Sequence, residues 1–387
     1  MTFEDFEIIK NACLDDYIDQ CPIKLALKGV DKAICTQVKY LQKAKDKLPD
    51  YYSARCVIPE LSFEQSSSLY TSKAKDYSGK LCIDLTCGIG SDTLHFSKNF
   101  ERVVTIERDE LLSKIAIHNF EKLKVENVEV VCADSCDFIQ KYEGEKADLI
   151  FIDPARRSDE KRVFLFEDCS PNVFEVLKYA PQITKKLVIK ASPLYDVEQA
   201  KRDFESFGAV CIESVSYNNE CKELVVEIEF SEHKDLVFRN TIISKNGEIV
   251  RVSLNKVYKN AIFTDFSNNY TYLYIGDVTF YKSRTFETYI VNNFPNLEIT
   301  SKDGVALSED FHDNFLGRKY KISHFMSFKP KEIKRYLKQN DIKSATIVKR
   351  GGKYSVTEIY KLLNLKGGSD VTLLETNNNV FFLTPIN

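Results

Sequence analysis

The sequence predicts an α/β fold around a mostly parallel sheet of seven strands, and three observations predict it. From Lys80 onward, short apolar runs alternate with amphipathic stretches at helical spacing, the pattern of βαβ units. One run, Leu81-Cys-Ile-Asp-Leu-Thr-Cys-Gly-Ile-Gly-Ser-Asp-Thr93, is an apolar strand passing into a glycine turn and then a helix. Another, Ile152-Asp-Pro-Ala-Arg-Arg157, brings an acid, a proline and two arginines to a strand end about 60 residues later. Ligands of open α/β sheets lie at the carboxyl ends of the strands, so both ends should face one crevice. The glycine turn suits a nucleoside-like ligand set against a helix N-terminus.

The elements follow in order. Residues 1 to about 55 place Ile18, Leu25, Val30, Ala33, Val38 and Leu41 at helical spacing, and Pro49 ends that segment. Strands are expected at 81–86, 102–107, 128–133, 147–153, 186–191, 209–216 and 224–230, with helices at 91–99, 109–124, 135–142, 170–180 and 196–207 between the first six. Tyr217-Asn-Asn-Glu-Cys-Lys222 is too short for a crossover helix, so the last two strands form an antiparallel hairpin. A Rossmann-like sheet that closes in a hairpin is not the dinucleotide-oxidoreductase pattern. Past His233 the alternation ends, and residues 236–310 read as a small α+β domain with turns at Lys245-Asn-Gly247 and Asn268-Asn269. The remainder carries a helix at Lys329–Gln339, a strand at Ala345–Val348, a helix at Ser355–Leu363 and a hairpin through Asn377-Asn-Asn379.

Composition bounds the setting. Of 387 residues, 43% are apolar and 29% charged, which excludes a disordered chain. No apolar run reaches transmembrane length and Met1-Thr-Phe-Glu-Asp-Phe is not the start of a signal peptide, so no membrane partner is expected. Eleven cysteines without a CxxC pair suit a reduced cytoplasm, and the five scattered histidines suggest no metal site. The net charge of −3 hides an asymmetry: residues 311–387 hold 14 Lys and Arg against 6 Asp and Glu. A basic tail on an acidic body suggests a polyanionic partner, with a solvated lysine-rich surface as the plainer alternative.

The acids of the first three strands define the candidate ligand site. Asp84 lies inside a strand, where a carboxylate needs a cation or a network of donors. Glu107 ends the second strand 23 residues later and can accept both hydroxyls of a ribose. Asp134 ends the third and can accept from an adenine amino group. The glycine turn lacks the third glycine of the dinucleotide fingerprint, since Thr93 stands in its place.

Together these residues resemble the class I S-adenosylmethionine-dependent methyltransferases, over about Leu61 to Phe230. The resemblance implies that the segment Asp84, Thr86, Cys87, Gly88, Ile89 and Gly90, with Asp92 and Thr93, wraps the methionine end of the cofactor. It implies that Glu107 and Arg108 meet the ribose, and that Ala133, Asp134 and Ser135 frame the adenine. Phe63-Glu-Gln-Ser-Ser-Ser68 either lines the same pocket, through Gln65, or forms a polar cap for the helix through Leu69 and Tyr70.

The fourth-strand box sets the chemistry. Amino-group methyltransferases of bases carry Asp-Pro-Pro and an aromatic; here Asp153-Pro154-Ala155-Arg156 puts a guanidinium where the stacking ring would be. Asp153, Pro154 and Arg156 are therefore the candidate catalytic set, with Asp153 as orienter and proton acceptor. A similar box occurs in uridine C5 methyltransferases, which use a cysteine just after the fifth strand. That strand here ends Ile189-Lys-Ala-Ser-Pro-Leu-Tyr195, so transfer to a nitrogen or oxygen is expected instead. Arg157 and Lys190 are candidate substrate contacts, or surface ion pairs.

The whole chain also resembles a bacterial family of RNA methyltransferases with a ferredoxin-like insert and a C-terminal THUMP-like domain. The matching residues are Glu64-Gln-Ser-Ser-Ser68, the Asp-Pro-Ala-Arg box, Tyr272-Leu-Tyr274 and Val348-Lys-Arg-Gly-Gly352. After Tyr274 the chain departs from that pattern, with Ile275-Gly-Asp277 where an acid–proline pair is expected. The resemblance implies an N-terminal helical domain over 1–55, a methyltransferase domain over 56–232, a ferredoxin-like domain over 233–310 and a basic THUMP-like domain over 311–387. It further implies RNA, tRNA or rRNA, as partner, met by Lys349, Arg350 and Lys353. The competing expectations are a methyltransferase of a protein or small-molecule acceptor, and a non-catalytic RNA-binding protein that retains the fold.

Overall fold

The computed structural model describes residues 1–156, 166–255, 263–264, 270–300, 304–376 and 379–386. Contacts divide the chain into two compact units, Met1–Arg251 and Val252–Asn387. Where the four-part reading draws boundaries at 55, 232 and 310, the contacts draw one, at 251.

The first unit is organised by a sheet of nine strands rather than the expected seven. In chain order they are β1 (Gly79–Asp84), β2 (Phe100–Glu107), β3 (Val128–Cys132), β4 (Leu149–Ile152), β5 (Lys186–Ala191), β6 (Ala209–Tyr217), β7 (Glu220–Glu229), β8 (Leu236–Ile243) and β9 (Ile249–Leu254). Across the sheet the order is β3-β2-β1-β4-β5-β7-β6-β8-β9. The pairs from β3 through β5 are parallel, and β7 runs antiparallel to both β5 and β6. The β6–β7 hairpin turns through Asn218 and Asn219, both at positive φ (51° and 60°), as a tight two-residue loop requires.

The central strands read as apolar runs because both faces are covered. Leu81 and Ile83 point into one core with Val176, Leu177 and Phe204 of the helices Val173–Ile183 and Val197–Phe204. Cys82 points to the other, with Phe96, Phe151 and Val188. The two extra strands come from residues assigned by sequence to the following α+β domain: β8 lies parallel to β6 over eight residues.

Before β1 the chain is helical, over Phe3–Asn11, Pro22–Leu27, Lys32–Lys47, Pro49–Ala54, Glu60–Gln65 and Leu69–Lys73. Pro49 does end a helix, and it also starts one, since its fixed φ suits a first helical position. Tyr40, Leu41 and Tyr51 from these helices share a core with Ile89, Ile115 and Phe120 of the sheet region. Three bonds fix the join: Tyr51 Oη donates to the Ile89 carbonyl (2.7 Å), and the Asn119 amide both accepts from Val57 N (2.8 Å) and donates to Val57 O (2.9 Å).

The second unit is a mixed sheet of eight strands. Edge to edge these are Phe263–Thr264, Glu298–Thr300, Ala306–Ser308, Tyr272–Gly276, Gly317–Ser327, Asn379–Ile386, Lys366–Glu375 and Ser344–Lys349. Gly317–Ser327 pairs antiparallel on both sides, with Tyr272–Gly276 and with Asn379–Ile386. The helices Pro330–Gln339 and Val356–Leu363 stand where their spacing predicts and bury Ile333, Leu337, Ile359 and Leu363. No described helix is long and apolar enough to cross a membrane.

Candidate active site

The carboxyl ends of β1 to β4 open on a cleft of about 380 Å³. Its wall includes Thr86 and Gly88 after β1, Glu107 and Arg108 after β2, Asp134 and Ser135 after β3, and Asp153 after β4. Gln65, from the helix Glu60–Gln65, completes that set. Eight of the residues expected from sequence to bind cofactor or substrate thus line one space.

Asp84, Cys87, Ile89, Gly90 and Thr93 serve the turn that shapes it. Asp84 is buried and does not line the cleft; its network of donors is internal. Thr93 Oγ1 donates to Asp84 Oδ2 (2.6 Å) and the Thr86 N–H to Oδ1 (2.9 Å). Burial pushes the Asp84 carboxyl up to about 6 against these donors. Cys87 and Ile89 are buried among the N-terminal helices, and Ala133 packs against the sheet core. Gly90 sits at φ 85°, where a Cβ would also lie 2.5 Å from the Phe120 ring. At Gly88, φ is 55° and a Cβ would meet nothing within 4 Å, so the cleft keeps open space directly over the turn.

The two strand-end acids accept from backbone N–H groups, Glu107 through both oxygens and Asp134 through one. Glu107 Oε2 accepts from Gly88 N–H (2.9 Å), tying the end of β2 to the turn, while Oε1 accepts from Asp109 N–H (2.9 Å). Burial, with Asp109 close by, raises the Glu107 carboxyl above its usual range. Asp134 caps the helix Ser135–Gln140, its Oδ1 accepting from Cys136 N–H (2.8 Å) and Asp137 N–H (3.3 Å). Ser135 Oγ donates to Leu85 O (2.6 Å) and so closes β3 onto β1. These residues leave an open cradle with two carboxylates at its rim, which fits a nucleoside cofactor with a cationic amino-acid end.

A second space of about 470 Å³ adjoins the first and shares Gln65, Asp153 and Ala155 with it. It adds Pro154, Lys190 and the segment Ala191-Ser192-Pro193 after β5. Asp153 is fixed at both ends: its N–H donates to Thr86 Oγ1 (2.7 Å), and Oδ2 accepts from Lys190 Nζ (2.6 Å). Lys190 also donates to Ser67 Oγ (3.0 Å) and lies 3.8 Å from Asp92 Oδ2. Burial lowers the Lys190 ammonium, but Asp153, Asp92 and Glu223 outweigh it and hold the group well above the usual lysine range. Asp92, expected at the cofactor, is placed in this charge cluster instead. Burial would raise it, but Lys75 (3.3 Å) and Lys190, with Ser67 and Ser72 donating, hold it well below the usual carboxylate range.

Both readings of the serine run hold in part. Ser68 caps the helix Leu69–Lys73 in a reciprocal capping box, while Gln65 lines the cleft and Ser67 reaches Lys190. Arg156 contributes backbone to a two-residue ladder, Ala155–Arg156 against Cys169–Ser170, and Arg157 lies outside the described residues. Lys349 and Lys353 are exposed in the second unit, where Arg350 stacks 4.0 Å over the Tyr281 ring.

Sequence reasoning missed Leu61, Leu112, Ser170 and Pro171, which also line the cleft. Leu112 carried a signal, lying in the first turn of the helix after β2. Leu61 had none, being an exposed leucine on a short helix.

Comparison with known proteins separates the two units. Residues 79–228 match the family model described as RNA cap guanine-N2 methyltransferase, and residues 317–384 match the model described as THUMP domain-like. A tRNA/tmRNA (uracil-C(5))-methyltransferase of Acinetobacter baumannii is 29% identical over 135 residues, covering 28% of this chain and 37% of that protein. An uncharacterised S-adenosylmethionine-dependent methyltransferase of Mycobacterium tuberculosis is 29% identical over 153 residues, 39% of each chain. The chain thus spans under two fifths of the curated relatives it matches. A solved structure from Porphyromonas gingivalis W83, described as a candidate methyltransferase, matches with a TM-score of 0.79 at 22% identity, covering 99% of this chain and 98% of that one. That likeness establishes the fold across nearly the whole chain.

Proposed function

We propose that the chain is an S-adenosylmethionine-dependent methyltransferase acting on a base nitrogen, or oxygen, of structured RNA, tRNA or rRNA, in the cytoplasm. The observation that carries this reading is the convergence of Gly88, Glu107, Asp134 and Asp153 on adjoining spaces at the ends of four neighbouring strands. The matched RNA cap guanine-N2 methyltransferase and THUMP-like models, and the RNA-modifying relative, support RNA as the acceptor class.

In this reading Glu107 takes the ribose hydroxyls with the lone pairs its backbone donors leave free, and Asp134 marks the adenine end. Gly88 lets the chain approach the ligand closely, and the Asp84–Thr93 bond keeps the turn in that shape. The bound cofactor supplies an electrophilic methyl group on sulfur. Asp153, in the space next to the cleft, accepts an N–H or O–H of the acceptor base and fixes the atom that is to be methylated. Such positioning is the main requirement of in-line transfer. Among the described residues neither space has a cysteine in its wall, so the reading departs from the covalent C5 chemistry of the uracil enzymes. Within the same proposal residues 1–55, 56–232, 233–310 and 311–387 act as helical, catalytic, ferredoxin-like and THUMP-like segments, with Lys349, Arg350 and Lys353 on the RNA.

The test combines calorimetric titration with S-adenosylhomocysteine and incubation of host RNA with a methyl-labelled cofactor. The wild type should bind the former and label an RNA fraction. Binding without labelling of any RNA would move the acceptor to a protein or small molecule. No binding by a folded chain would leave a non-catalytic RNA-binding protein.

A further inference from the structure

We infer that Lys75, Asp92 and Ser67 form a positioning assembly that holds the Lys190 ammonium on Asp153, so that Lys190 sets the acceptor-facing carboxylate rather than gripping the acceptor. The inference rests on the methyl-transfer reading above.

An unbroken chain of contacts leads from the core to the pocket. Lys75 Nζ lies 2.8 Å from Glu223 Oε1 and 3.3 Å from Asp92 Oδ1. Ser67 Oγ donates to Asp92 Oδ2 (2.7 Å) and accepts from Lys190 Nζ (3.0 Å), which donates in turn to Asp153 Oδ2 (2.6 Å). Exposure of the side chains rises along that path, from 2% at Lys75 through 10% at Asp92 and 12% at Lys190 to 35% at Asp153. Two ammoniums face three carboxylates, Asp92, Glu223 and Asp153. The cluster therefore keeps one negative charge, and Asp153 is its most exposed acid. Lys222 lines the same pocket but is paired with Glu220 (2.8 Å) on the hairpin.

Stability does not account for such a cluster. Buried ion pairs are commonly no better than apolar residues of similar volume, because desolvation offsets their attraction. Direct acceptor binding does not account for it either. An ammonium has three donors; two of Lys190's are committed to Asp153 and Ser67, and the third side faces Asp92. What the geometry does achieve is a carboxylate locked in direction, through Thr86 on its backbone and Lys190 on its side chain. Ser67, which neither caps a helix nor lines the cleft, joins the two halves of the assembly.

The experiment uses full-length Lys75→Met and Ser67→Ala proteins carrying isotope-labelled lysine, assayed beside wild type. Three readouts are taken: S-adenosylhomocysteine affinity, kcat and KM for RNA methylation, and the NMR signal of the Lys190 ammonium. Lys75→Met should keep cofactor-product affinity and RNA KM, lower kcat about ten- to hundredfold through misplacement of Asp153, and weaken the protection of the Lys190 ammonium from solvent exchange. Ser67→Ala should do the same more mildly, and it decides the matter if Lys75→Met does not fold. A higher KM at unchanged kcat would overturn the inference and make Lys190 an acceptor contact. An unchanged kcat with an unchanged ammonium signal would overturn it as well. If wild type binds the cofactor product but labels no RNA, the acceptor assignment fails by itself, and the ammonium signal in Ser67→Ala still decides the positioning claim.

Discussion

The acids around the glycine turn and those around Lys190 stand at one edge of one sheet, yet different donors hold them. Around the glycine turn the partners are neutral: Thr86 and Thr93 for Asp84, Gly88 N–H and Asp109 N–H for Glu107, and two helix N–H groups for Asp134. At and behind the neighbouring pocket ammonium groups join the donors, Lys190 for Asp153 and Lys75 with Lys190, beside the Ser67 and Ser72 hydroxyls, for Asp92. Hydroxyl and amide donors spend a carboxylate on shape and leave the chemistry to a ligand. Ammonium donors fix where a charge sits. The first region is built as a mould and the second as an electrostatic setting, although both are made of carboxylates near the carboxyl ends of one sheet.

Substitutions can break that distinction. Asp153→Ala should lower RNA methylation about a thousandfold, within the range for loss of a positioned proton-handling group, while S-adenosylhomocysteine affinity stays within about twofold by calorimetry. A parallel loss of both would mean that the two regions act as one site. Gly88→Val puts a branched side chain into the open cradle at a positive φ; it should weaken S-adenosylhomocysteine binding about a hundredfold or more, and unchanged affinity would remove the turn from the cofactor site.

Asp84→Asn sharpens the comparison through pH. The Asp84 carboxyl ionises near 3.8 when unfolded and at about 6 when folded. Between those values the folded state holds the extra proton, so Asp84 makes stability fall as pH rises, by on the order of 3 kcal/mol across the window. The variant should lose that slope in urea unfolding at pH 4.5 and pH 7, and an identical slope in both proteins would refute the assignment. The smallest effect is expected at Glu107→Gln, which keeps the shape but loses the charge. About tenfold weaker binding of S-adenosylhomocysteine is expected, the loss of one charge-assisted hydrogen bond. Unchanged affinity would leave Glu107 a structural strut.

Much of the mould was legible in the sequence and little of the setting. β1, β4, β5 and β6 announce themselves because they are largely buried and read as apolar runs, and β2, β3 and β7 through shorter apolar stretches such as Val103–Ile106, Val130–Cys132 and Leu224–Val226. β8 does not: Leu236–Ile243 is broken by Arg239 and Asn240, and the arginine makes sense only beside Glu213 of β6 (3.4 Å) and Glu227 of β7 (3.6 Å). Asp84 inside a strand correctly signalled a donor network, but the donors are Thr86 and Thr93, the latter visible in sequence only as a missing glycine. Lys75 shows the limit most clearly. In Lys73-Ala-Lys-Asp76 it reads as part of a solvated charged stretch, yet it is 3% exposed, because Asp92 and Glu223 arrive from distant parts of the chain.

The parallel seat of β8 against β6 governs where this protein can be divided. A chain cut at residue 232, where the regular alternation stops, would turn β6 into an open rim. Seven of its nine residues are buried, and its unpaired peptide groups would be free to recruit another strand. The piece would carry every residue of the cleft and still be prone to self-association. The smallest self-contained segment therefore runs to the end of the first unit at residue 251, so exchange or excision of the catalytic half must carry β8 with it.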